Sequence, residues 1–222
     1  MVGNMTPLHI IGTHLDIRKV VLLLVLFEAG KNRYKLGFKD EVLKYFKFLI
    51  NDYGFKCIET DITFVRYESR VVFVNVYHGR GSYELGLEIG FIGNSRTDEV
   101  KYSLKDIIEL ETNESFTPFQ TSNAEGIKKF IPIMAELVTK YAIDAILGDE
   151  LFYNRLDKFT TKNFNQYIAN MNLASIRPKA AIAWKEKDYK RFVELYGAVA
   201  EKYLSQSEKK KIEYALNHRG HV

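Results

Sequence analysis

The sequence predicts an α+β protein with an antiparallel three- to four-stranded meander, an N-terminal helix and a mostly helical C-terminal half. Residues 62–90 contain successive segments in which apolar and polar residues alternate, the pattern of half-buried strands. A 3.6-residue apolar stripe precedes these segments, and helical spacing continues after residue 121. We therefore predict a helix-plus-sheet domain at 36–112, a helical region at 122–222 and an N-terminal extension at 1–35, whose place in the fold is open.

The composition is that of a globular protein that can bury a large core. Of the 222 residues, 46% are hydrophobic and 14% are aromatic, and the net charge of +4 is only mildly basic. This balance does not argue for nucleic-acid binding, because lysines and carboxylates are interleaved. The single cysteine, Cys57, excludes an internal disulfide framework or a multi-cysteine metal site and fits a reducing, cytoplasmic location.

An unbroken apolar run from residue 20 to residue 27 follows Arg18-Lys19 and resembles the start of a signal peptide. No small-residue cleavage site follows it, and Glu28 closes the run directly. The run is also shorter than the roughly 20 apolar residues that span a bilayer. We predict a buried strand or short helix here, and no membrane partner.

Residues 39–53 are predicted to form the N-terminal helix, with Gly54 in the left-handed position after its end. The chain then enters the meander, whose pairing is predicted from its turns. A two-residue loop at Gly79-Arg80 pairs Val74 with Leu85, and an earlier turn at Ser69-Arg70 pairs Val74 with Val65. Both pairings place the alternating apolar residues on one face of the sheet.

The other face of the meander carries the candidate binding site, and we call it the aromatic–acidic face. It consists of Phe64, Arg66, Glu68, Phe73, Tyr77, Glu84 and Glu88, with Phe73 predicted opposite Gly86. Aromatic residues ringed by charges are typical of interaction hot spots, and large apolar patches mark binding surfaces. We therefore expect a protein partner, as yet unidentified, to bind this face. The alternatives are that helices or chain termini cover it, or that it forms a homodimer.

Capping signals divide the rest of the chain into helices. Ser103 and Asp106 have the spacing of a capping box, as have Ser122 and Glu125. Tyr102, just before the first of them, is a candidate residue of a short edge strand. The irregular residues 111–121 are the candidate boundary between the two halves.

The predicted helix that begins at residue 124 contains Pro132, which should kink or split it, and ends at Gly148. The next helix is predicted to break or kink at Arg177-Pro178. A helical hairpin around Lys187-Asp188 and a last helix opened by residues 205–208 complete the chain.

The hairpin contains Ala180, Ala181, Ala183, Trp184, Lys187, Asp188 and Tyr189, and it is similar to a tetratricopeptide helix pair. Only one such unit is visible, whereas about three are needed for a repeat scaffold, so we interpret it as a packed hairpin.

A wider resemblance rests on the segments Asp52-Tyr53-Gly54-Phe55, residues 65–69 and Ser82-Tyr83-Glu84-Leu85, together with this hairpin. On these landmarks the chain resembles a widespread uncharacterised class of small bacterial cytosolic proteins. The resemblance covers residues 43–217 and implies a bacterial, non-secreted protein, loosely linked to immunity or defence, with no reaction attached.

No sequence motif for phosphate binding, dinucleotide binding or a nucleophile elbow is present, and no cofactor is predicted. The histidines lack ligand spacing, so no metal residues are assigned. The leading hypothesis is therefore a non-enzymatic interaction module. One alternative is a metal-dependent hydrolase or nuclease that uses Glu68, Glu84, Glu88 or His78. Another is a weak nucleic-acid binder that uses the lysines at 209–211.

Overall fold

The computed structural model describes residues 33–218 and confirms the α+β class, with an antiparallel sheet followed by a mostly helical C-terminal half. The chain divides into two compact units, one ending at Asp149 and the other beginning at Glu150. This division lies later than the irregular residues 111–121 that the sequence offers as a boundary. The apolar run at 20–27 lies outside the described residues.

The first unit contains the sheet, which has more strands than the meander predicted from the sequence. Its strands are β1 (Lys56–Asp61), β2 (Phe64–Glu68), β3 (Val72–His78), β4 (Glu84–Phe91), β5 (Lys101–Ser103) and β6 (Phe119–Gln120). The strand order is β1-β2-β3-β4-β5, and β6 also pairs with β4. Its helices are α1 (Phe38–Tyr45), α2 (Lys47–Asn51), α3 (Leu104–Thr112), α4 (Ala124–Tyr141) and α5 (Ile143–Leu147).

The predicted faces of the meander are correct, but both predicted registers are wrong. Val74 pairs with Tyr67 on one side and with Ile89 on the other. Beyond the end of β3, the Gly79 N–H donates a hydrogen bond to the Glu84 carbonyl at 2.8 Å, which leaves residues 80–83 as the loop of the hairpin. The error is an even number of residues in both cases, so every side chain keeps its predicted face.

The apolar face of the sheet forms the core of the first unit together with α1 and α4. Fully buried core residues include Val65, Tyr67, Val74, Val76 and Ile89 from the sheet and Val42, Ile127 and Ile131 from the helices. The Tyr67 hydroxyl reaches the Val42 carbonyl at 3.5 Å. This burial explains why the alternating pattern of the sequence is so regular.

Several predicted helix boundaries need small corrections. The first helix is interrupted at Phe46, which separates α1 from α2. Asn123, and not Ser122, caps α4, because its side chain accepts a hydrogen bond from the Gly126 N–H. Pro132 lies inside α4 without splitting it. The Ser103–Asp106 capping box is confirmed, and the helical segment from residue 124 ends at Gly148 as predicted, although Ala142 divides it into α4 and α5.

The second unit is helical and has its own apolar core. It contains α6 (Glu150–Lys185), α7 (Tyr189–Tyr196), a short 3-10 helix (Glu201–Tyr203) and α8 (Gln206–His218). The predicted break at Arg177-Pro178 does not occur, since α6 continues through Pro178. The core consists of Leu173, Ala180, Ala183, Phe192, Tyr196 and Ala215, with small residues of α6 packed against aromatic residues of α7.

Candidate partner-binding surface

The aromatic–acidic face begins with a buried charge. Arg66 on β2 is only 2% exposed, and its guanidinium is held by the carboxylates of Glu68 at 2.6 Å and Glu99 at 2.5 Å. It also donates to the Asn75 side chain and lies 4.3 Å from the centre of the Phe73 ring. Arg66 is therefore a structural cation that no partner can reach without rearrangement.

Phe73 is fully buried, beneath Arg66 and against the bare backbone of Gly90. Phe73 pairs with Gly90, and Tyr77 pairs with Gly86, so the pairing of Phe73 with Gly86 predicted from the sequence is wrong. Since Glu99, from the loop after β4, holds Arg66 over Phe73, both residues support this half of the face from below and are not exposed on it.

Tyr77, by contrast, is half-buried and lies at the other end of the face. Its ring lies directly against Gly86, where an added Cβ would come within 2.1 Å of the Tyr77 ring. A glycine at position 86 therefore permits the close approach of the ring. Burial, with smaller contributions from Glu88 and Glu84, raises the pKa of Tyr77 to about 12. The phenol is neutral at physiological pH and can donate a hydrogen bond.

A cavity opens beside Tyr77 because the edge of β4 is interrupted. β5 pairs with residues 88–90 and β6 with residues 84–85, so Gly86 and Leu87 have no strand partner on that edge among the described residues. The cavity has a volume of about 90 Å³ and is mostly apolar. Its lining includes Tyr77, Leu87, Leu104, Phe116, Phe119 and Met134, with Glu84 and Lys105 also in the wall.

The two carboxylates next to Tyr77 differ in their surroundings. Glu88 is engaged by the Lys101 ammonium at 3.0 Å and by the Asn75 amide at 3.5 Å. Glu84 makes no ion pair with any side chain in the described part of the chain. Glu84 is thus the acidic group of this face that has most to gain from a cation supplied by a partner.

Phe64 and Glu68, the remaining predicted site residues, are both half-buried. Phe64 pairs with Tyr77 across β2 and β3, whereas Glu68 is committed to Arg66. The structure thus places the seven predicted residues on one face, but only Tyr77 and Glu84 line the cavity.

His78, considered as a catalytic residue, is 2% exposed and has both ring nitrogens occupied. Its Nε2 lies 2.8 Å from the Thr121 carbonyl, so it carries the proton and donates it, and Nδ1 faces the Arg33 guanidinium at 3.3 Å. Burial lowers the pKa of His78, and the nearby Arg33 lowers it further. A neutral histidine whose two ring nitrogens are both engaged has a structural role and is not available as a general base.

The residues proposed for a metal-dependent enzyme and for a nucleic-acid binder are also dispersed or engaged in other contacts. Within residues 33–218 no group of three or more His, Cys, Asp or Glu side chains is arranged to hold a metal ion. In the lysine cluster of α8, Lys209 pairs with Glu201 at 3.2 Å and Lys211 lies 5.2 Å from the Trp184 ring. Two of the three lysines of this cluster are therefore engaged by side chains of their own unit.

No protein-family model, curated protein or solved structure matches the chain. Within the described residues, no helix combines the length and apolar character that crossing a membrane requires.

The cavity was missed at the sequence level because its walls come from distant parts of the chain. Phe116 and Phe119 follow α3, Leu104 and Lys105 begin it, and Met134 lies on α4. One feature of the sequence could have indicated it: Phe116, Pro118 and Phe119 are apolar residues in a segment that is otherwise polar and irregular.

Proposed function

We propose that this protein is a non-enzymatic interaction module that binds a protein partner through the accessible end of the aromatic–acidic face, at Tyr77 and Glu84. The observation that carries the proposal is the apolar cavity in the interrupted edge of β4, which adjoins both residues. Its volume of about 90 Å³ is smaller than the roughly 150 Å³ cavity that holds benzene in an engineered protein, and it suits a branched aliphatic side chain.

The chemistry of the rim defines the partner. An apolar side chain would enter the cavity, and a Lys or Arg nearby would meet the carboxylate of Glu84. The neutral Tyr77 hydroxyl can donate to a main-chain carbonyl of the same segment. An apolar anchor surrounded by polar contacts is the usual arrangement of an interaction hot spot. We therefore propose a partner segment that combines an aliphatic and a basic residue.

The cellular role that we propose follows from the resemblance to the bacterial cytosolic class. That resemblance supports a cytoplasmic protein with a part in bacterial competition or defence. The single cysteine supports the same location, because reducing compartments do not favour disulfide frameworks.

The proposal is tested by affinity capture from the native cell followed by mass spectrometry, with wild type and two variants compared side by side. Glu84→Lys reverses the charge at the rim, and Phe116→Ala removes one wall of the cavity. Truncation or reversal of a hot-spot residue costs about 2 kcal/mol or more, so we expect the affinity for a stoichiometric partner to fall tenfold or more.

The matched control is Glu136→Lys, the same charge change at an exposed position of α4. Circular dichroism should show all four proteins equally folded. A partner that is retained by Glu84→Lys and Phe116→Ala as well as by the control would contradict the proposal, as would the absence of any stoichiometric partner.

A further inference from the structure

The long helix α6 carries a second apolar face that nothing in the described structure covers. We call it the α6 stripe: Phe164, Tyr167, Ile168 and Met171, which are 63%, 60%, 38% and 55% exposed. Their spacing of three, four and seven residues places them on one side of the helix. Large side chains clustered in this way are unusual on a free surface and mark an interaction site.

The stripe is distinct from the face of α6 that packs in the core of the second unit. The core face carries Ala169, Leu173 and Ala180, which are at most 7% exposed. At 100° per residue, Leu173 points about 160° away from Met171 around the helix axis. α6 therefore has one face committed to its own core and another available to a partner.

The helix is also accessible from every side where the stripe begins. All residues from Thr161 to Ile168 are exposed, which is more than two full turns of α6. A groove of about 320 Å³ runs beside the stripe, between Asn165, Ile168 and Asn172 on α6 and residues 198–203 of the same unit. A second helix can approach here without displacing any described element of this unit.

The segment of α6 that carries the stripe is uncharged, and Lys202 is the charged residue in the wall of the neighbouring groove. From Asn163 to Ile176 the sequence contains no Asp, Glu, Lys or Arg, although 27% of the whole chain is charged. The amides on either side of the stripe are Asn163, Asn165, Asn170 and Asn172, whereas Gln166 lies on the opposite side of the helix. Each amide is both a donor and an acceptor of hydrogen bonds, so it can pair with an identical amide.

We propose that the α6 stripe is a homodimer contact, in which the α6 helices of two copies pack antiparallel around a twofold axis. In such an isologous contact each surface meets itself, so like charges would repel, whereas amides and apolar side chains are self-complementary. The axis passes near Tyr167 and Ile168, and Phe164 of one copy then meets Met171 of the other. The absence of charge, the paired amides and the exposed helix all fit this occupant.

The size of the stripe sets the strength of the dimer. Taking about 200 Å² for a whole large side chain, the four residues leave roughly 400 Å² in water per copy. A standard stable interface needs about 800 Å² per partner, so the stripe supplies about half, and the amides and the groove wall supply the rest. We therefore expect a weak, concentration-dependent dimer with a Kd on the order of 10–100 μM.

A membrane surface is a less suitable occupant for the same stripe. Helices that lie in a membrane interface carry Lys and Arg along their polar face, which attract anionic lipids. The charge-free segment 163–176 has none.

Sedimentation velocity of the full chain tests the proposal, over a series from about 1 μM to about 500 μM that brackets the expected Kd. Wild type should shift from monomer to dimer across the series. Tyr167→Glu places one charge beside its own copy across the axis, and we expect it to weaken the dimer at least tenfold. Gln166→Glu adds the same charge on the opposite side of the helix, about 150° from the centre of the stripe, and should dimerise like wild type.

Mixing Tyr167→Glu with Tyr167→Lys provides a test that loss of folding cannot imitate. Each variant alone should remain monomeric, whereas the mixture should dimerise, because opposite charges then meet across the axis. Four results would overturn the proposal: a monomeric wild type throughout the series, a dimer unaffected by Tyr167→Glu, equal weakening by Gln166→Glu, or no dimer in the mixture. A monomer that instead binds anionic lipid vesicles through the stripe would assign it to a membrane.

Discussion

At the scale of single residues, the aromatic–acidic face shows how one buried charge can organise a surface. Arg66 and Glu99 are 33 positions apart in the sequence, yet their side chains form a two-pronged ion pair inside the protein. Arg96 and Glu59 form a pair of similar length on the surface, with side chains 57% and 41% exposed. The two pairs look alike in distance and differ in burial, so they should differ strongly in their contribution to stability.

Arg66→Met tests this difference directly. The substitution leaves the buried Glu99 carboxylate without its cation, and we expect the free energy of unfolding to fall by about 3 kcal/mol or more. Arg96→Met, the matched control, should cost at most about 1 kcal/mol because solvent screens the exposed pair. Urea unfolding followed by circular dichroism gives both values.

The double variant Arg66→Met/Glu99→Met separates the ionic effect from a packing effect. Removing both partners leaves no uncompensated charge, so the double variant should recover much of the stability lost in Arg66→Met. Equal stability of Arg66→Met and Arg96→Met, or a double variant less stable than Arg66→Met, would contradict a stabilising role for the buried ion pair.

The same residue shows where sequence reasoning stops. Alternation places Arg66 and Phe73 correctly on one face, because the twofold period of a strand depends only on neighbouring residues. Their burial depends on Glu99, which lies in a loop after β4 and has no periodic relation to β2. The residues of the aromatic–acidic face could therefore be predicted from the sequence, but which of them are accessible to a partner could not.

At the scale of elements, the sequence predicted which side chains share a face of the sheet, but it did not predict the pairing registers of the strands. The hairpin loop at 80–83 contains Tyr83 with a positive φ of 55°, a conformation that the sequence favours at Gly79 or Gly81 instead. The loop is longer than predicted, and the pairing of β3 with β4 moves by an even number of residues. Likewise, helical spacing predicted helices after residue 121 but could not separate the apolar residues of α6 that face the core from those of the α6 stripe.

The start of α8 supplies a pH-dependent prediction at this scale. The Glu208 carboxylate accepts hydrogen bonds from the Ser205 N–H at 2.8 Å and from the Arg177 guanidinium of α6 at 2.8 Å. The Arg177 hydrogen bond, above all, lowers the pKa of Glu208 to about 2, well below its ordinary 4.5. The ionised form is therefore stabilised by folding, and this stabilisation is lost as the pH falls from about 4.5 towards 2.

We expect wild type to be more stable than Glu208→Gln above about pH 4.5 and the difference to shrink steadily down to about pH 2. Trp184, the only tryptophan, lies in the same unit, so its fluorescence reports the unfolding in urea at each pH. Glu213→Gln, an exposed position on the same helix, should stay within about 0.5 kcal/mol of wild type throughout. A difference between wild type and Glu208→Gln that did not change with pH would contradict the ionic role.

At the scale of the whole molecule, residues 33–218 contain two cores, and each belongs to one unit. The first is built on the sheet and its helices, and the second on the small and aromatic residues of α6, α7 and α8. The two proposed contacts follow this division, since the Tyr77 cavity lies in the first unit and the α6 stripe in the second. Partner binding and self-association can therefore be perturbed separately by substitution.

Two probes inside the same chain can test whether the units are also stable separately. Cys57, the only cysteine, is half-buried on β1 and pairs with Tyr67 of β2, so its reactivity towards a thiol reagent reports on the sheet. Trp184 fluorescence reports on the helical unit. Because a unit with its own core can unfold by itself, we expect Arg66→Met to move the Cys57 transition by about 1 M urea or more and to leave the Trp184 transition in place. Glu208→Gln should move the Trp184 transition and leave the Cys57 transition in place. Transitions that move together in both variants would show that the chain unfolds as a single cooperative structure.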